Sequence, residues 1–233
     1  THLPTGKLYI KYQMGEAVQE YERGLELETG KVWVLRKSDK VRIFEEIRTS
    51  HPDKVLLVSV ECSGKMDLKL WFEPYNQEGG MEPTEVGIRF FADAFEMLHC
   101  DQKCGVHLEG ALKVVTDGET ESDESGLWIR KCTNVQIYLA METDFENKDL
   151  SDRCMHQIAF ARCISAVQKG AAEVIRRHEE DIKQFTEGTR LEIEGTDSVS
   201  EKIPLMFQYG RYLFVLFLQR RFKTSGTSTG DLE

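Results

Sequence analysis

The sequence predicts a mainly β chain that ends in helices. Apolar and polar residues alternate from the first strand onward, as Leu8, Ile10 and Tyr12 do, and a period of two is typical of strands with one buried face. After about Phe145 the apolar spacing changes to nearly four, which indicates helices. The chain has 233 residues, 40% of them hydrophobic, so it can bury a sizeable core. We therefore expect a large β-sandwich followed by a helical part.

The first strands are separated by turn residues. Leu25–Val34 predicts a hairpin, because two alternating runs flank a glycine. Val41–Thr49 and Val55–Glu61 predict the next two strands, with a proline-containing turn between them. Met66–Phe72 alternates again, and the polar segment 73–80 that follows predicts a loop.

The later strands include a near-repeat. Gly87–Phe90 and Gly105–Leu108 are similar runs, and one of them is expected to be an extra strand or part of an inserted hairpin. The acidic segment 117–126 has no large apolar residue and predicts a solvated turn. Leu127–Ile129 and Val135–Met141 then predict the last strands.

The helical part has recognisable ends. Ser151 or Asp152 can cap the first helix, because a short side-chain oxygen accepts hydrogen bonds from first-turn amides. Gly170 predicts a kink or a break between two helices, and Gly188 predicts a helix end. We therefore expect two helices before a short extended segment.

The last predicted helix is apolar nearly all round. It is expected to start at Pro204 and to run from about Leu205 to Gln219. Such a helix is normally buried among several neighbours, yet only a polar tail follows it. The chain also begins at Thr1 without an initiator methionine. We therefore expect a fragment or a mature form that stops where a further helical domain should begin.

The charge excludes some partners. The chain has 30 basic and 40 acidic residues, a formal charge of −10, which disfavours nucleic-acid binding because phosphate neutralisation needs a basic surface. The longest apolar run, Leu205–Leu218, is broken by Arg211 and is shorter than the ~20 residues of a membrane-spanning helix. We predict neither a nucleic-acid nor a membrane partner. The six cysteines leave the compartment open.

The densest group of potential metal ligands is His99, Cys100, Cys104 and His107. Two thiols and two imidazoles within nine residues could complete a tetrahedral zinc shell. Structural zinc sites, however, usually pair two short motifs that are far apart in sequence, and this tract is single. The alternative is a reduced cysteine pair on a hairpin. We predict no metal and no other cofactor.

Carboxylates are plentiful, but the sequence does not place them as a catalytic pair. A glycosidase needs one carboxylic acid to protonate the leaving oxygen and a second group to activate water. The segment His178–Asp181 lies on a predicted helix beside two arginines and is expected to form a solvated, charged face. Glu45, Glu46 and the acidic run 119–124 are also expected to be exposed. We name no catalytic residue.

Common catalytic motifs are missing from the sequence. It has no Gly-x-Ser-x-Gly elbow, phosphate-binding loop, dinucleotide fingerprint or His-Glu-x-x-His helix. Trp33, Trp71, Trp128 and Tyr75 could stack on sugar rings, although aromatic residues in strands more often pack in the core or at an edge. Exposure of Trp71 or Trp128 beside polar groups would favour sugar binding.

Eight short segments have the sequence and order of one enzyme family. They are Gly6–Ile10, Tyr21–Val32, Ser50–Leu56, Leu112–Gly118, Arg177–Asp181, Gln184–Phe185, Arg190–Ile193 and Leu205–Leu213. Together they resemble the fucosidases of glycoside hydrolase family 95 over nearly the whole chain. Leu205–Leu213 is the most specific segment and resembles the first helix of the helical barrel in that family.

The resemblance implies an N-terminal β-sandwich, a helical linker, an (α/α)6 barrel with the active site and a C-terminal β-domain. It implies a sandwich over 1–146, a linker over 147–203, and the first helix of an incomplete barrel with a divergent tail over 204–233. The family hydrolyses terminal α-linked fucose with inversion, using residues beyond the matching segments. The chain is therefore expected to be non-catalytic, with the missing barrel as packing partner and a fucosylated glycan as substrate of the parent enzyme.

Two other functions stay open. The sandwich could be a stand-alone carbohydrate-binding or interaction module. The helix at Leu205–Leu218 could instead dock on another chain and complete a hydrolase in trans, since exposed apolar surfaces often mark interfaces. The sugar specificity, compartment and oligomeric state are not predicted.

Overall fold

A computed structural model describes residues 4–75, 78–96, 104–145, 149–195 and 198–219. The strands in these ranges are β1 (Gly6–Tyr12), β2 (Glu20–Glu26), β3 (Lys31–Lys37), β4 (Arg42–Ser50), β5 (Val55–Pro74), β6 (Gly80–Thr84), β7 (Gly87–Glu96), β8 (Cys104–Thr116), β9 (Glu119–Asp123) and β10 (Gly126–Thr143). The helices are α1 (Asp152–Lys169), α2 (Ala171–Thr186) and α3 (Ser198–Gln219). The predicted mainly β chain with helices after the strands is confirmed.

The described strands form one antiparallel sheet around two long central strands. Its order is β2-β3-β4-β5-β10-β8-β7-β6, with β1 also pairing with β5 and β9 with β10. The predicted strands Val55–Glu61 and Met66–Phe72 are the two halves of β5. Leu127–Ile129 and Val135–Met141 are likewise parts of β10. The β5–β10 pairing is irregular between the two halves, and this irregularity explains the interrupted alternation.

The sheet curves over its own core as a sandwich. The rings of Phe72 on β5 and Phe90 on β7 stack 4.5 Å apart, although β10 and β8 lie between these strands in the sheet order. Apolar side chains from β4 to β10 form one buried cluster inside the curve. This cluster supplies the main hydrophobic stabilisation of the chain.

A second apolar layer joins the outer face of the sheet to the helices. Successive residues of a strand point to opposite faces, so Leu57 and Tyr138 point outward where Val58 and Ile137 point inward. Leu57 and Tyr138 pack against buried residues of α1 such as Cys163. We use the name linker for residues 149–195, which contain α1 and α2; its first helix lies directly on the sheet.

The predicted helix ends are confirmed. The Ser151 side chain accepts a hydrogen bond from the backbone N–H of Cys154 and so caps α1. Gly170 has φ of +81° and separates α1 from α2. Gly188, with φ of +90°, follows the end of α2. Within the described residues, none of the three helices combines the length and apolar character needed to cross a bilayer.

The start of the last helix differs from the prediction. Helix α3 begins at Ser198, so Pro204 lies inside it rather than at its first position. Proline removes one backbone donor in this second turn, but the remaining turns continue the helix past it. The predicted start was wrong. Proline is common in the first turn of helices, and the residues before Pro204 show too little apolar periodicity to indicate the earlier start.

Two strand predictions need correction or completion. Glu119–Asp123 was expected in a solvated turn, but it forms β9 and pairs with β10. The sequence does not indicate this strand, because a short strand at the surface needs no apolar face and so shows no apolar alternation. The two similar runs at Gly87–Phe90 and Gly105–Leu108 belong to neighbouring antiparallel strands, β7 and β8.

Candidate functional site

Asp53 joins the sheet to both helices of the linker. It lies in the turn between β4 and β5, and its side chain is 1% exposed. Lys169 Nζ on α1 lies 2.6 Å from Asp53 Oδ1, and Arg177 Nε on α2 lies 3.1 Å and 3.2 Å from its two oxygens. Burial alone would raise the pKa of Asp53, but hydrogen bonds from Lys169, Ser50 and Arg177 hold that pKa below its usual value. A charged Asp53 therefore fixes α1 and α2 on the sandwich.

The β2–β3 hairpin contacts the middle of α2. His178 is 3% exposed, and its Nε2 lies 2.9 Å from the carbonyl oxygen of Thr29. Because a carbonyl can only accept, Nε2 carries the hydrogen. Gly30 has φ of +64°, and a Cβ there would lie 2.4 Å from Cδ1 of Ile182. The turn thus requires glycine for its backbone angle and for the approach of α2.

The predicted solvated face at His178–Asp181 is wrong in part. His178 is buried, and Asp181 Oδ2 lies 3.6 Å from His51 Nδ1. The prediction holds for Glu180, which pairs with Arg176 on the exposed side of α2. The error arises because this turn of α2 rests against the sheet, which a charge pattern alone cannot show.

A cleft separates the β2–β3 hairpin from the last helix. It has a volume of about 600 Å³ and is lined by Glu28, Glu179 and Lys183 on one side and by Gln208 and Arg211 of α3 on the other. Arg211 donates a 2.8 Å hydrogen bond from Nη2 to the carbonyl of Phe185, and its Nη1 also donates to a backbone carbonyl of the linker. A cation at the carbonyl end of α2 is favourable, and it holds α3 beside the linker.

Helix α3 presents an apolar surface to solvent. We call it the apolar α3 face; it consists of Leu205, Met206, Tyr209, Leu213 and Phe214. Met206 is 71% exposed and Phe214 is 61% exposed, whereas Val215 on the same helix is buried. A contiguous apolar surface of this kind marks an interaction site or an aggregation risk.

Three half-buried aromatic residues lie on the outer face of the sheet. Tyr9 and Trp71 stack with ring centroids 4.8 Å apart. Trp128 lies near them, with the Arg130 guanidinium 4.0 Å from its ring centroid and its Nε1 donating to Asp123. Neither tryptophan is fully buried or widely exposed, so exposure does not exclude the predicted sugar-binding role. We call Tyr9, Trp71 and Trp128 the aromatic patch.

The cysteine and histidine tract that was considered as a metal site is described only in part. His99 and Cys100 lie outside the described residues, and the side chain of Cys104 is not described. His107 is described, and its neighbours are carboxylates: Asp93 on β7, Glu109 on β8 and Asp152 on α1.

The expected exposure of Glu45 is wrong. Glu45 is 5% exposed and pairs with Arg36 at 2.6 Å. The hydroxyl of Tyr12 also donates to Glu45. Burial, together with the Glu45 charge, raises the pKa of Tyr12 well above its usual value, so this hydroxyl stays protonated. The three side chains form a structural link between β1, β3 and β4.

The most connected polar residues were not singled out from the sequence. Asp53 and Arg177 look like turn and helix-surface residues, because their partners are more than 100 positions away. Asp93 and Asp152 meet His107 only after β7, β8 and α1 pack together. The Pro-Asp turn before β5 was visible, but nothing in it indicates the two cations that bind Asp53.

The fold defines a β-sandwich domain with a helical linker packed on its outer face. The chain belongs to the family described as "Glycosyl hydrolase family 65, N-terminal domain", whose model matches residues 1–148. This confirms an N-terminal domain of glycoside hydrolase type. The match is to family 65, and neither it nor the structural comparison supports family 95 or fucose specificity.

A solved structure has the same fold. It is described as "Putative kojibiose phosphorylase from human microbiome" and superposes with a TM-score of 0.60 at 13% identity. The match covers 93% of this chain and 32% of the other, so the chain spans about a third of that protein. No curated protein matches the chain.

Proposed function

We propose that the chain is the non-catalytic N-terminal part of a glycoside hydrolase-type enzyme and supports a catalytic domain through α3. The family membership supports the enzyme class. The single observation that carries the supporting role is the apolar α3 face, exposed on a helix that Arg211 holds beside the linker. An exposed apolar face of this kind is typical of a surface that packs on another domain or partner.

The linker is built to hold α3 in a defined position. Asp53 fixes α1 and α2 on the sheet, and His178 fixes α2 on the β2–β3 hairpin. Arg211 then joins α3 to the end of α2. A domain packed on α3 would therefore have a set orientation relative to the sandwich.

The buried carboxylates have structural partners. Within the described residues, Glu45, Asp53, Glu109 and Glu142 are the buried acids, and each pairs with an arginine or a lysine. A catalytic acid instead needs an environment that keeps it protonated and open to substrate. This pairing supports a non-catalytic role for the sandwich.

The substrate of the whole enzyme is a separate proposal, more specific than the enzyme class. The sequence segments favour a terminal α-linked fucose, whereas the solved structure is described as a putative kojibiose phosphorylase. We propose fucoside hydrolysis as the first activity to test and kojibiose phosphorolysis as the second. The assay is fucose release from an α-1,2-fucosylated oligosaccharide beside glucose phosphate formation from kojibiose and phosphate.

The supporting role is tested in a protein that continues from α3 into the catalytic domain. The double substitution Met206→Glu and Phe214→Glu should lower its activity and its unfolding temperature, because two charges would be buried at the interface. The matched control is Phe145→Glu, which changes a side chain that is 71% exposed and lies outside α3. Equal effects of both variants would contradict the proposal.

A carbohydrate-binding role is the second candidate, and the aromatic patch favours it. Stacked, half-exposed rings beside charged groups can bind the apolar face of a sugar. Calorimetric titration with fucosyllactose and with kojibiose should then show binding that Trp71→Ala removes. Trp33→Ala is the control, since Trp33 packs near Phe44 away from the patch. Absence of binding by the unsubstituted chain would exclude this role for these sugars.

A further inference from the structure

Three potential metal ligands converge where β8 meets the start of α1. His107 and Glu109 lie two residues apart on β8 and so point to the same face, and Asp152 is the first residue of α1. His107 Nε2 lies 3.4 Å from Glu109 Oε1 and 3.7 Å from Asp152 Oδ1. The three atoms all lie within 4.8 Å of one another.

The hydrogen bond of His107 to Asp93 determines which ring nitrogen is available. Nδ1 lies 2.6 Å from Asp93 Oδ1, and an ionised carboxylate can only accept, so Nδ1 carries a hydrogen. In the neutral ring the lone pair of Nε2 then points toward the oxygens of Glu109 and Asp152. Three electron-rich atoms face one another, and a positive charge among them, either a proton on Nε2 or a bound metal ion, makes the arrangement favourable.

We propose that His107 Nε2, Glu109 Oε1 and Asp152 Oδ1 bind a divalent transition-metal ion, with zinc as the best fit. Ligands 2.0–2.1 Å from a tetrahedral zinc ion are separated by about 3.3 Å, close to the two distances from Nε2. One imidazole and two carboxylates are a known type of donor set for zinc, and water completes the shell.

The surroundings of the site fit a bound cation. Asp93 orients the imidazole in the way that carboxylates commonly orient metal-binding histidines. Arg89 donates to both oxygens of Glu109, at 2.9 Å and 3.1 Å, and fixes that buried carboxylate. Among the described contacts of His107 and Glu109, three carboxylates face one arginine, so a divalent ion improves the local charge balance.

The ion would link two layers of the domain. His107 and Glu109 belong to the sheet, whereas Asp152 belongs to the linker. Metal binding should therefore stabilise the packing of α1 on β8, because an ion that binds only the folded state shifts unfolding to higher temperature. This inference does not depend on the proposed function, since it needs neither a catalytic domain nor a sugar.

The test is calorimetric titration of the chelator-treated chain with zinc chloride, together with its unfolding temperature with and without zinc. We expect one ion per chain and a higher unfolding temperature with zinc. His107→Ala and Asp152→Ala should each weaken binding at least 10-fold. Asp152 is 68% exposed, so its variant should fold, and the metal-free unfolding temperature checks this.

The controls separate this site from others. His51→Ala removes a histidine that contacts only the linker carboxylate Asp181 among the ion pairs described, and it should bind zinc as the unsubstituted chain does. The double variant Cys100→Ser and Cys104→Ser tests the cysteine tract. Three outcomes would overturn the proposal: no binding, binding that is unchanged by Asp152→Ala, or binding that is lost in the cysteine variant.

Discussion

His178 on α2 donates a 2.9 Å hydrogen bond to the carbonyl of Thr29, a residue 149 positions earlier in the β2–β3 turn. The contact joins the first hairpin of the sandwich to the last helix that packs on it. Together with the Asp53 ion pairs, this contact holds α1 and α2 of the linker in a fixed position on the sandwich.

Asp53→Ala should destabilise the chain by about 2 kcal/mol. The substitution leaves Lys169 and Arg177 without their shared partner, but both cations are 35% exposed, so water compensates part of the loss. The unfolding temperature should fall by about 4–8 °C. Asp39→Ala, at an exposed position, is the control and should change little. Equal unfolding temperatures for the two variants would show that Asp53 does not hold the helices.

Gly30→Ala should destabilise the chain by about 1–3 kcal/mol. A side chain there is strained at φ of +64° and would also displace Ile182 on α2. Gly210→Ala is a matched control, because Gly210 lies in α3 with no atom within 4 Å of its added Cβ. That variant should be neutral or more stable by up to about 1 kcal/mol. Chemical denaturation of both variants checks the prediction, and a neutral Gly30→Ala would contradict the described turn.

The contribution of His178 to the stability should fall as the pH falls below about 6.5, because burial favours its neutral form in the folded chain. Burial lowers the pKa of His178. The hydrogen bond to Thr29 and the charge of Glu179 partly oppose this shift, whereas the charge of Arg48 adds to it. A lowered folded pKa means that the unfolded chain binds the proton first, so stability is full above about pH 6.5 and is lost on acidification.

The measurement for His178 is the free energy of unfolding between pH 7.5 and pH 5. His178→Gln keeps a side-chain donor for Thr29 and removes the titrating group, so acidification should destabilise this variant less than the unsubstituted chain. Gly210→Ala removes no titrating group, so it is the control and should keep the pH dependence of the unsubstituted chain. A parallel pH profile for His178→Gln would contradict the prediction.

The repeating patterns of the sequence predict the elements well and the long-range contacts poorly. Leu25–Val34 predicts its hairpin because alternation and a turn glycine are local signals. Ser151 and Gly170 predict helix ends for the same reason. The strand β9 is hidden because its side chains are polar on both faces.

The polar contacts of the site depend on tertiary packing. Glu45 and His178 look like surface residues in sequence, and they are buried because β1 and the β2–β3 turn cover them. His107 belongs to a recognisable cysteine and histidine tract, but its described neighbours are carboxylates from β7, β8 and α1. Spacing along one segment cannot reveal ligands that come from three elements.

The central claim is that this chain supports a catalytic domain and does not itself cleave sugars. The most direct test incubates the purified 233-residue chain with an α-1,2-fucosylated oligosaccharide, and separately with kojibiose and phosphate, beside a longer protein that continues past α3 into the catalytic domain. We expect no fucose and no glucose phosphate from the chain alone, and one of these products from the longer protein. Product formation by the chain alone would contradict the non-catalytic role.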